Sequence, residues 1–428
     1  MLERIFIYTY VLSLAIPGRW RLMPELDHYG GAEVAISPFD IPLFSYLIVK
    51  LLLIVVFNKN TTIKFSTDVK VILLYLFCNA IFLIFGDSYF WSSLELLRYV
   101  KFFIVFLIIK FALLNNEKNH DTLFNAILLV IVIQLITSLI QQVFGVTISG
   151  KGGDEVGLNN VDGELYRSAG TLGHPGTLSQ FIVTICPFLW MEAMNKSGLR
   201  KMVFMAGYFI SVVIVVLSFA RTGIAMIAVA TLLMIFHSLF SKGKFFSKIT
   251  ICAVLLVAAF VFIDTYFDVI YDRFINAPDE SGEIRIVLAE IALKMITSHP
   301  FFGIGLNTFT TVMTEYDVTN ISSWWPHPVH NIYLLIMSET GILGFGLFMF
   351  MNFYFARLVI KGVRLKDPYD SKILYASGVS ILSIAFFGML GWSWRLDSIQ
   401  GLYWLVLAMI SASYTRAKKN KKQLESED

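Results

Sequence analysis

Apolar residues in this chain come in long unbroken runs, not at alternate positions and not along one face. Runs near 4–17, 41–57, 69–86, 92–113, 122–144 and 176–194 fill the first half, and runs near 202–219, 223–240, 248–264, 331–357, 372–391 and 398–413 fill the second. A helix needs about 20 apolar residues to cross a bilayer. The pattern therefore predicts an all-α integral membrane protein with about twelve transmembrane helices. Strands of an outer-membrane barrel would alternate polar and apolar residues instead. The first run is short, preceded by Arg4 and ended by Pro17-Gly18, as in a signal peptide. It lacks a small-x-small cleavage site and further spans follow, so it reads as a retained first helix.

Composition sharpens this. Of 428 residues, 57% are hydrophobic, 38 are Phe and only 15% are charged, against about 25% charged in an ordinary soluble domain. A soluble chain of this length would lack the polar side chains to cover its surface, which excludes a soluble enzyme and a disordered chain. The net charge of +3 gives no reason to expect a nucleic-acid partner. Cys78, Cys186 and Cys252 each sit inside an apolar run and read as small buried hydrophobes, not as a disulfide framework or a zinc site.

The charges also predict sidedness. Alternate connections carry Lys59 and Lys64, then Lys110 and Lys118, then Lys196, Arg200 and Lys201, then Lys242, Lys244 and Lys248, then Arg357, Lys361, Arg364 and Lys366. The tail, 414–428, adds Arg416, Lys418, Lys419, Lys421 and Lys422. Basic loops stay in the cytoplasm, so both termini are expected there, with Arg19 and Arg21 as exceptions. The chain reads as one polytopic domain, 1–428, with two long external connections, 145–175 and 265–330. The second is partly helical, from about 283 to 297, with Glu290 and Lys294 spaced for an i,i+4 pair. Connections this long usually have a job, so the working face is expected to be external. No repeat of 20–50 residues is evident.

Candidate chemistry gathers on that face. Arg221 sits in the short turn Ser218-Phe219-Ala220-Arg221-Thr222-Gly223, either snorkelling to lipid phosphate or gripping a substrate phosphate bidentately. Its external placement, against the basic-inside bias, tilts toward function. Arg167 precedes Gly170-Thr171-Leu172-Gly173-His174-Pro175. Arg285 lies on a largely apolar helix and needs an anionic partner, either a ligand or Asp279, Glu280 or Glu283. The glycines of His299-Pro300-Phe301-Phe302-Gly303-Ile304-Gly305 suggest a tight turn and no phosphate cradle. His327 and His330, three apart across Pro328, make a poor metal pair. An imidazole there, with an ordinary pKa of about 6.5, suits either a base toward a hydroxyl or a capping and packing role. Gly341 and Gly344 permit close helix packing. Arg98 and Lys101 share a helix face and need a cavity, a lipid phosphate or a carboxylate such as Glu95.

Together these segments resemble the O-antigen ligase/polymerase superfamily of bacterial surface-polysaccharide synthesis. The features are Arg167…Gly170-Thr171…His174-Pro175, the turn at Arg221, the run from Arg285 to Asn307-Thr308-Phe309, and His330-Asn331 followed after nine residues by Gly341-x-x-Gly344. The resemblance implies a GT-C-like glycosyltransferase in the inner membrane, independent of metal and with no cofactor. Its donor would be an undecaprenyl-diphosphate-linked glycan and its acceptor a glycan or lipid A-core hydroxyl in the periplasm. By that likeness, His330, Arg221 and Arg285 are catalytic, the histidine as general base or acceptor orienter and the arginines on the diphosphate. Arg167 would assist them, Asn331 would fix the imidazole or bind sugar hydroxyls, and Trp325, with Trp324, Trp392 and Trp394, would stack on sugar rings or serve as interfacial belt residues. His327 and Arg98 join the substrate-binding candidates on their positions alone. Attack in line with diphosphate departure would invert the anomeric centre. The histidine motif points to a ligase, with a polymerase of the same superfamily as the alternative. A transporter is the alternative of another class, expected to show paired repeats and ionisable or broken-helix sites at mid-membrane.

Overall fold

The structure, a computed structural model, describes residues 1–16, 18–23, 32–57, 66–146, 160–161, 165–240 and 280–427. The apolar run 248–264 and parts of both long connections lie outside the described residues. Within them the regular structure is helical apart from two short antiparallel hairpins. One joins β1 (Trp20–Arg21) to β2 (Ala35–Ile36), and the other joins β3 (Asn160–Val161) to β4 (Leu165–Tyr166).

The helices in chain order are α1 (Leu2–Ser13), α2 (Asp40–Phe57), α3 (Thr67–Phe82), α4 (Tyr89–Asn115), α5 (Lys118–Phe144), α6 (Pro175–Asn195), α7 (Gly198–Leu217) and α8 (Arg221–Phe240). Within the second long connection lie α9 (Glu280–Ser298) and α10 (Phe309–Tyr316), and after it come α11 (Ile332–Val363), α12 (Asp370–Leu390) and α13 (Asp397–Glu427). Among the described residues, seven stretches are long and apolar enough to cross a membrane: Thr67–Phe85, Lys118–Phe144, Pro175–Asn195, Gly198–Leu217, Arg221–Leu239, Ile332–Val363 and Asp370–Leu390. The protein is thus an all-α, multi-pass membrane protein. The runs at 4–17, 41–57, 92–113 and 398–413 also fall on helices, but α1 is short and α4 carries Glu95, Arg98, Lys101 and Lys110. The basic tail is a helical continuation of α13.

The chain divides into two compact units, Met1–Ala126 with Glu280–Asp428, and Ile127–Asp279. In the first, α13 is the hub: its apolar half is buried from Leu402 to Ala412 and packs against α4, α11 and α12. Lipid tails are as apolar as leucine, so close packing and internal polar pairs must hold such helices together. The buried hydroxyls of Ser377, Ser380 and Ser383 on α12 bond carbonyls one turn back, at Ile373, Ala376 and Val379. Lys110 of α4 meets Asp68 of α3 at 2.6 Å, and Ser411 of α13 donates to the same carboxylate. Lys101 meets Asp40 at 2.9 Å, and Arg416 meets Asp370 at 2.5 Å. The two cations that break the charge alternation are paired as well, Arg19 with Asp397 and Arg21 with Glu33.

In the second unit, α6 is almost wholly enclosed and packs on α7 and α8. A Cβ on Gly223 would come within 2.4 Å of Ser179, so glycine there sets how closely α8 approaches α6.

Candidate active site

Helix α11 is two helices joined at Gly341, whose backbone (φ 61, ψ −172) only glycine adopts without strain. The break leaves carbonyls and amides that a low-dielectric interior cannot leave unsatisfied. Residues 300–305 supply the partners. Ile304 and Gly305 donate to the carbonyls of Ser338 and Glu339 at 3.0 and 2.9 Å, and the carbonyls of Pro300 and Phe301 accept from Ile342 and Leu343 at 2.8 and 3.3 Å. Two glycines permit the approach: a Cβ on Gly303 would lie 2.3 Å from the Glu339 carbonyl carbon, and one on Gly341 2.3 Å from that of Phe301. The expected tight turn at Gly303 and Gly305 is therefore also a backbone plug. Gly341 breaks its helix and does not serve simple helix packing.

The plug is fixed in turn. The Asp87 backbone amide donates to the Ile304 carbonyl at 2.8 Å, and the Ser92 hydroxyl to that of Leu306 at 2.8 Å. The Phe302 ring stacks on Phe85 at 4.2 Å. The Asn307 side chain pairs with both backbone groups of Ala32 at 3.0 Å.

At the other end of the short half of α11, residues 332–340, Asn331 is the N-cap. Its Oδ1 accepts from the amides of Tyr333 at 2.9 Å and Leu334 at 3.1 Å. His330 stands just before the cap, half-buried. His330-Asn331 and Gly341 thus mark the two ends of one short helix. Capping uses Oδ1, so contact between Asn331 and a sugar hydroxyl would fall to its amide nitrogen.

Beside this cap lies an aromatic cluster. The Trp325 ring is 4.6 Å from His327, His327 is 5.9 Å from Trp392, and Trp324 is 6.5 Å from Trp325. Trp324 is 61% and Trp325 38% exposed. Trp394 stands apart, buried edge-on against Phe348 and Tyr403.

Arg98 belongs to a buried network in which three guanidinium groups face three carboxylates. It bonds Glu95 at 2.7 Å, approaches Asp397 at 3.5 Å, and donates to the Arg395 carbonyl at 2.8 Å. Arg395 reaches Glu95 at 3.0 Å and also Glu339, while Arg19 holds Asp397 at 2.8 Å. Of the roles open to Arg98, these partners favour the structural ion pair over substrate binding.

Arg285 lies on the exposed face of α9. The opposite face packs Leu288, Ile291, Ala292 and Met295 against Ile304, Phe309, Met313 and Leu335. Among the residues whose side chains are described it has no ion-paired carboxylate; Asp279 and the side chain of Glu280 lie outside them. Lys294 turns from Glu290 and donates to the Tyr316 carbonyl at 3.2 Å. Below α10, Asp317 accepts from the backbone of Thr319 and Ser322 at 2.8 Å each. Burial works to raise its carboxyl, but these N–H bonds and the Thr319 hydroxyl outweigh that and hold it at about 2.

In the second unit, three glutamines of α5 clamp the segment after β4. Gln141 accepts from Ala169 and Gly170 at 2.9 and 2.8 Å and donates back to the Gly170 carbonyl at 2.9 Å. Gln134 accepts from Thr171 at 3.0 Å. Gln142 bonds the carbonyls of Tyr166 and Leu217, the latter at 3.2 Å. Ser168 donates to the Leu217 carbonyl at 2.9 Å, which ties this segment to the end of α7 and the turn that opens α8. Arg167 and Arg221 therefore occupy the same end of this unit, and Arg221 is half-exposed at the first position of α8. His174 caps α6 through Nδ1, which accepts from Gly176 at 3.1 Å. Surrounding protein and the Arg167 cation both push its imidazole toward the neutral form that this bond needs.

Among the described residues, no three side chains of His, Cys, Asp or Glu gather as they would around a metal ion. Sequence reasoning passed over Glu339 and Arg395. The signal for Glu339 was visible, a lone acid within the apolar run 331–357. Its partner lies 56 residues on, a pairing that only the fold reveals.

Residues 206–349 match the family model described as O-Antigen ligase. The match supports the O-antigen ligase/polymerase superfamily reached from the motifs, and with it a membrane enzyme of the ligase/polymerase kind. It spans about a third of the chain and includes Arg221, Arg285, Trp325, His327, His330, Asn331 and Gly341, but not Arg98 or Arg167. No curated protein matches the chain.

Proposed function

We propose that this protein is a glycosyltransferase of the bacterial inner membrane. It moves a glycan from undecaprenyl diphosphate to an acceptor sugar hydroxyl, such as one on a lipid A-core, at the periplasmic face, with both termini cytoplasmic. The observation that carries this reading is the short helix delimited by His330-Asn331 and Gly341. It makes the superfamily's histidine motif a physical unit, with an imidazole held at a capped helix start.

The acceptor hydroxyl attacks the anomeric carbon, and its proton passes to the His330 imidazole as general base. The bond from that carbon to the diphosphate oxygen breaks, and undecaprenyl diphosphate leaves with the electron pair. One in-line step inverts the anomeric centre. Negative charge grows on phosphate oxygens, where the guanidinium groups of Arg221 and Arg285, with Arg167 assisting, stabilise it without a metal ion. The exposure of Arg285, with no ion pair among the residues whose side chains are described, suits a cation kept for an anionic substrate. Trp325 with His327, backed by Trp324 and Trp392, offers stacking faces and polar edges to sugar rings.

A broken helix also suggests a transporter, in which unwound backbone coordinates the cargo. Here the groups freed at Gly341 are taken by residues 300–305, which favours the enzyme. The test is a knockout with surface-glycan gels, complemented by variants. Unattached lipid-linked polymer in the knockout indicates a ligase, and core bearing one repeat indicates a polymerase. His330→Ala should fail to complement at normal protein level, and Arg221→Lys should be nearly as damaging as Ala, because an ammonium cannot reproduce the fork. Wild-type glycan with H330A, or accessibility labelling that puts positions 221 and 330 on opposite sides of the membrane, would end this reading. Activity of the purified protein is expected to survive EDTA.

A further inference from the structure

Breaking a helix removes the hydrogen bonds that align its halves, so the direction of residues 332–340 is not inherited from the rest of α11. Glu339 is the penultimate residue of this half, two before Gly341, and both its backbone and its carboxylate are held. Its carbonyl takes the Gly305 amide at 2.9 Å, one carboxylate oxygen takes the Phe309 amide at 3.3 Å, and the other takes the Arg395 guanidinium. Arg395 bridges on to Glu95 at 3.0 Å. Its backbone carbonyl is held by Arg98 at 2.8 Å and Arg19 at 3.0 Å.

We propose that the Glu339–Arg395 pair sets the direction of the short half of α11 and so places the His330 imidazole for proton transfer, which makes both residues positioning residues. The proposal rests on the reading of His330 as the base. At 1.5 Å per residue the short half is about 13 Å long, so a tilt of about 10° at the break moves its capped end by about 2 Å. A base works only within hydrogen-bond reach of its proton, about 2.6–3.2 Å. A buried ion pair is poor at adding stability, and specifying one geometry is its better-attested use. Arginine is suited to this because its planar fork spans two carboxylates, Glu95 and Glu339, at once.

The test uses the full chain in nanodiscs with a lipid-linked glycan donor. Glu339→Gln keeps an acceptor for the Phe309 amide but turns an amide NH2 against the guanidinium. Arg395→Lys keeps the charge but reaches only one carboxylate. For both, kcat per folded molecule should fall about 10- to 100-fold with donor KM unchanged, and hydrogen exchange at the capped amides of Tyr333 and Leu334 should quicken. Glu339→Asp, which keeps a carboxylate to face the guanidinium, should recover part of kcat. If Glu339→Gln yields no folded protein, Arg395→Lys carries the test. Unchanged kcat per folded molecule, or a change in KM alone, would overturn the proposal. His330→Ala, run alongside, reports on the underlying reading: if it is active, that reading fails, and unchanged exchange at Tyr333 and Leu334 then refutes the clamp separately.

Discussion

Replacing Gly341 with alanine puts the broken helix to a quantitative test. At φ 61 and ψ −172 an L-residue pays about 1–3 kcal/mol of backbone strain. The new methyl group would also lie 2.3 Å from the Phe301 carbonyl carbon and oxygen and 2.5 Å from the Phe302 amide. These are backbone atoms that cannot swing aside, so residues 300–302 must retreat. That breaks the bonds from Ile342 to Pro300 and from Leu343 to Phe301, at about 1 kcal/mol each. The sum is about 3–5 kcal/mol against docking of the plug. At a factor of ten per 1.4 kcal/mol, exchange at the amides of Ile304, Gly305, Ile342 and Leu343 should quicken by about 100- to 4000-fold. The assay is hydrogen exchange with mass spectrometry on detergent-solubilised protein, alongside thermal unfolding. Gly346 supplies the control: it lies on the same helix, and a Cβ there meets nothing within 4 Å. Gly346→Ala should stabilise by about 0.5–1 kcal/mol. Equal exchange in Gly341→Ala and the parent would refute the plugged-break account.

Three further outcomes follow from other contacts. Lys110→Met strands the buried Asp68 carboxylate and should cost about 3–5 kcal/mol in unfolding experiments, whereas adding Asp68→Leu should restore most of it. Gln141→Leu removes three hydrogen bonds to Ala169 and Gly170, about 3 kcal/mol, and should expose residues 166–174 to limited proteolysis. The Asp317 carboxyl sits at about 2 in the folded protein, below its unfolded value of about 3.9. Its contribution is therefore present above about pH 4 and lost as pH falls through about 2. Exchange at the amides of Thr319 and Ser322 should quicken over that window, and Asp317→Ala should abolish the pH dependence.

What the sequence determined by itself is what depends on local composition. Apolar runs of bilayer length commit segments such as 122–144 and 372–391 to membrane helices wherever they pack. The α9 helix was legible because its length and composition suffice for one. His330-Asn331 and Gly341 were legible as a motif, since a cap acts on amides two and three residues on and a break acts through its own backbone. Tertiary structure decided what those signals touch. It gave Arg98 carboxylate partners, whereas along the chain a cation among apolar residues looks the same whether its partner is Glu95 or a ligand. It turned Gly303 and Gly341 into the two sides of one close backbone approach, and it joined Glu339 to Arg395. An ion pair is fixed by where distant helices cross, and helices whose faces are apolar all round leave almost no periodic record of which neighbour they meet.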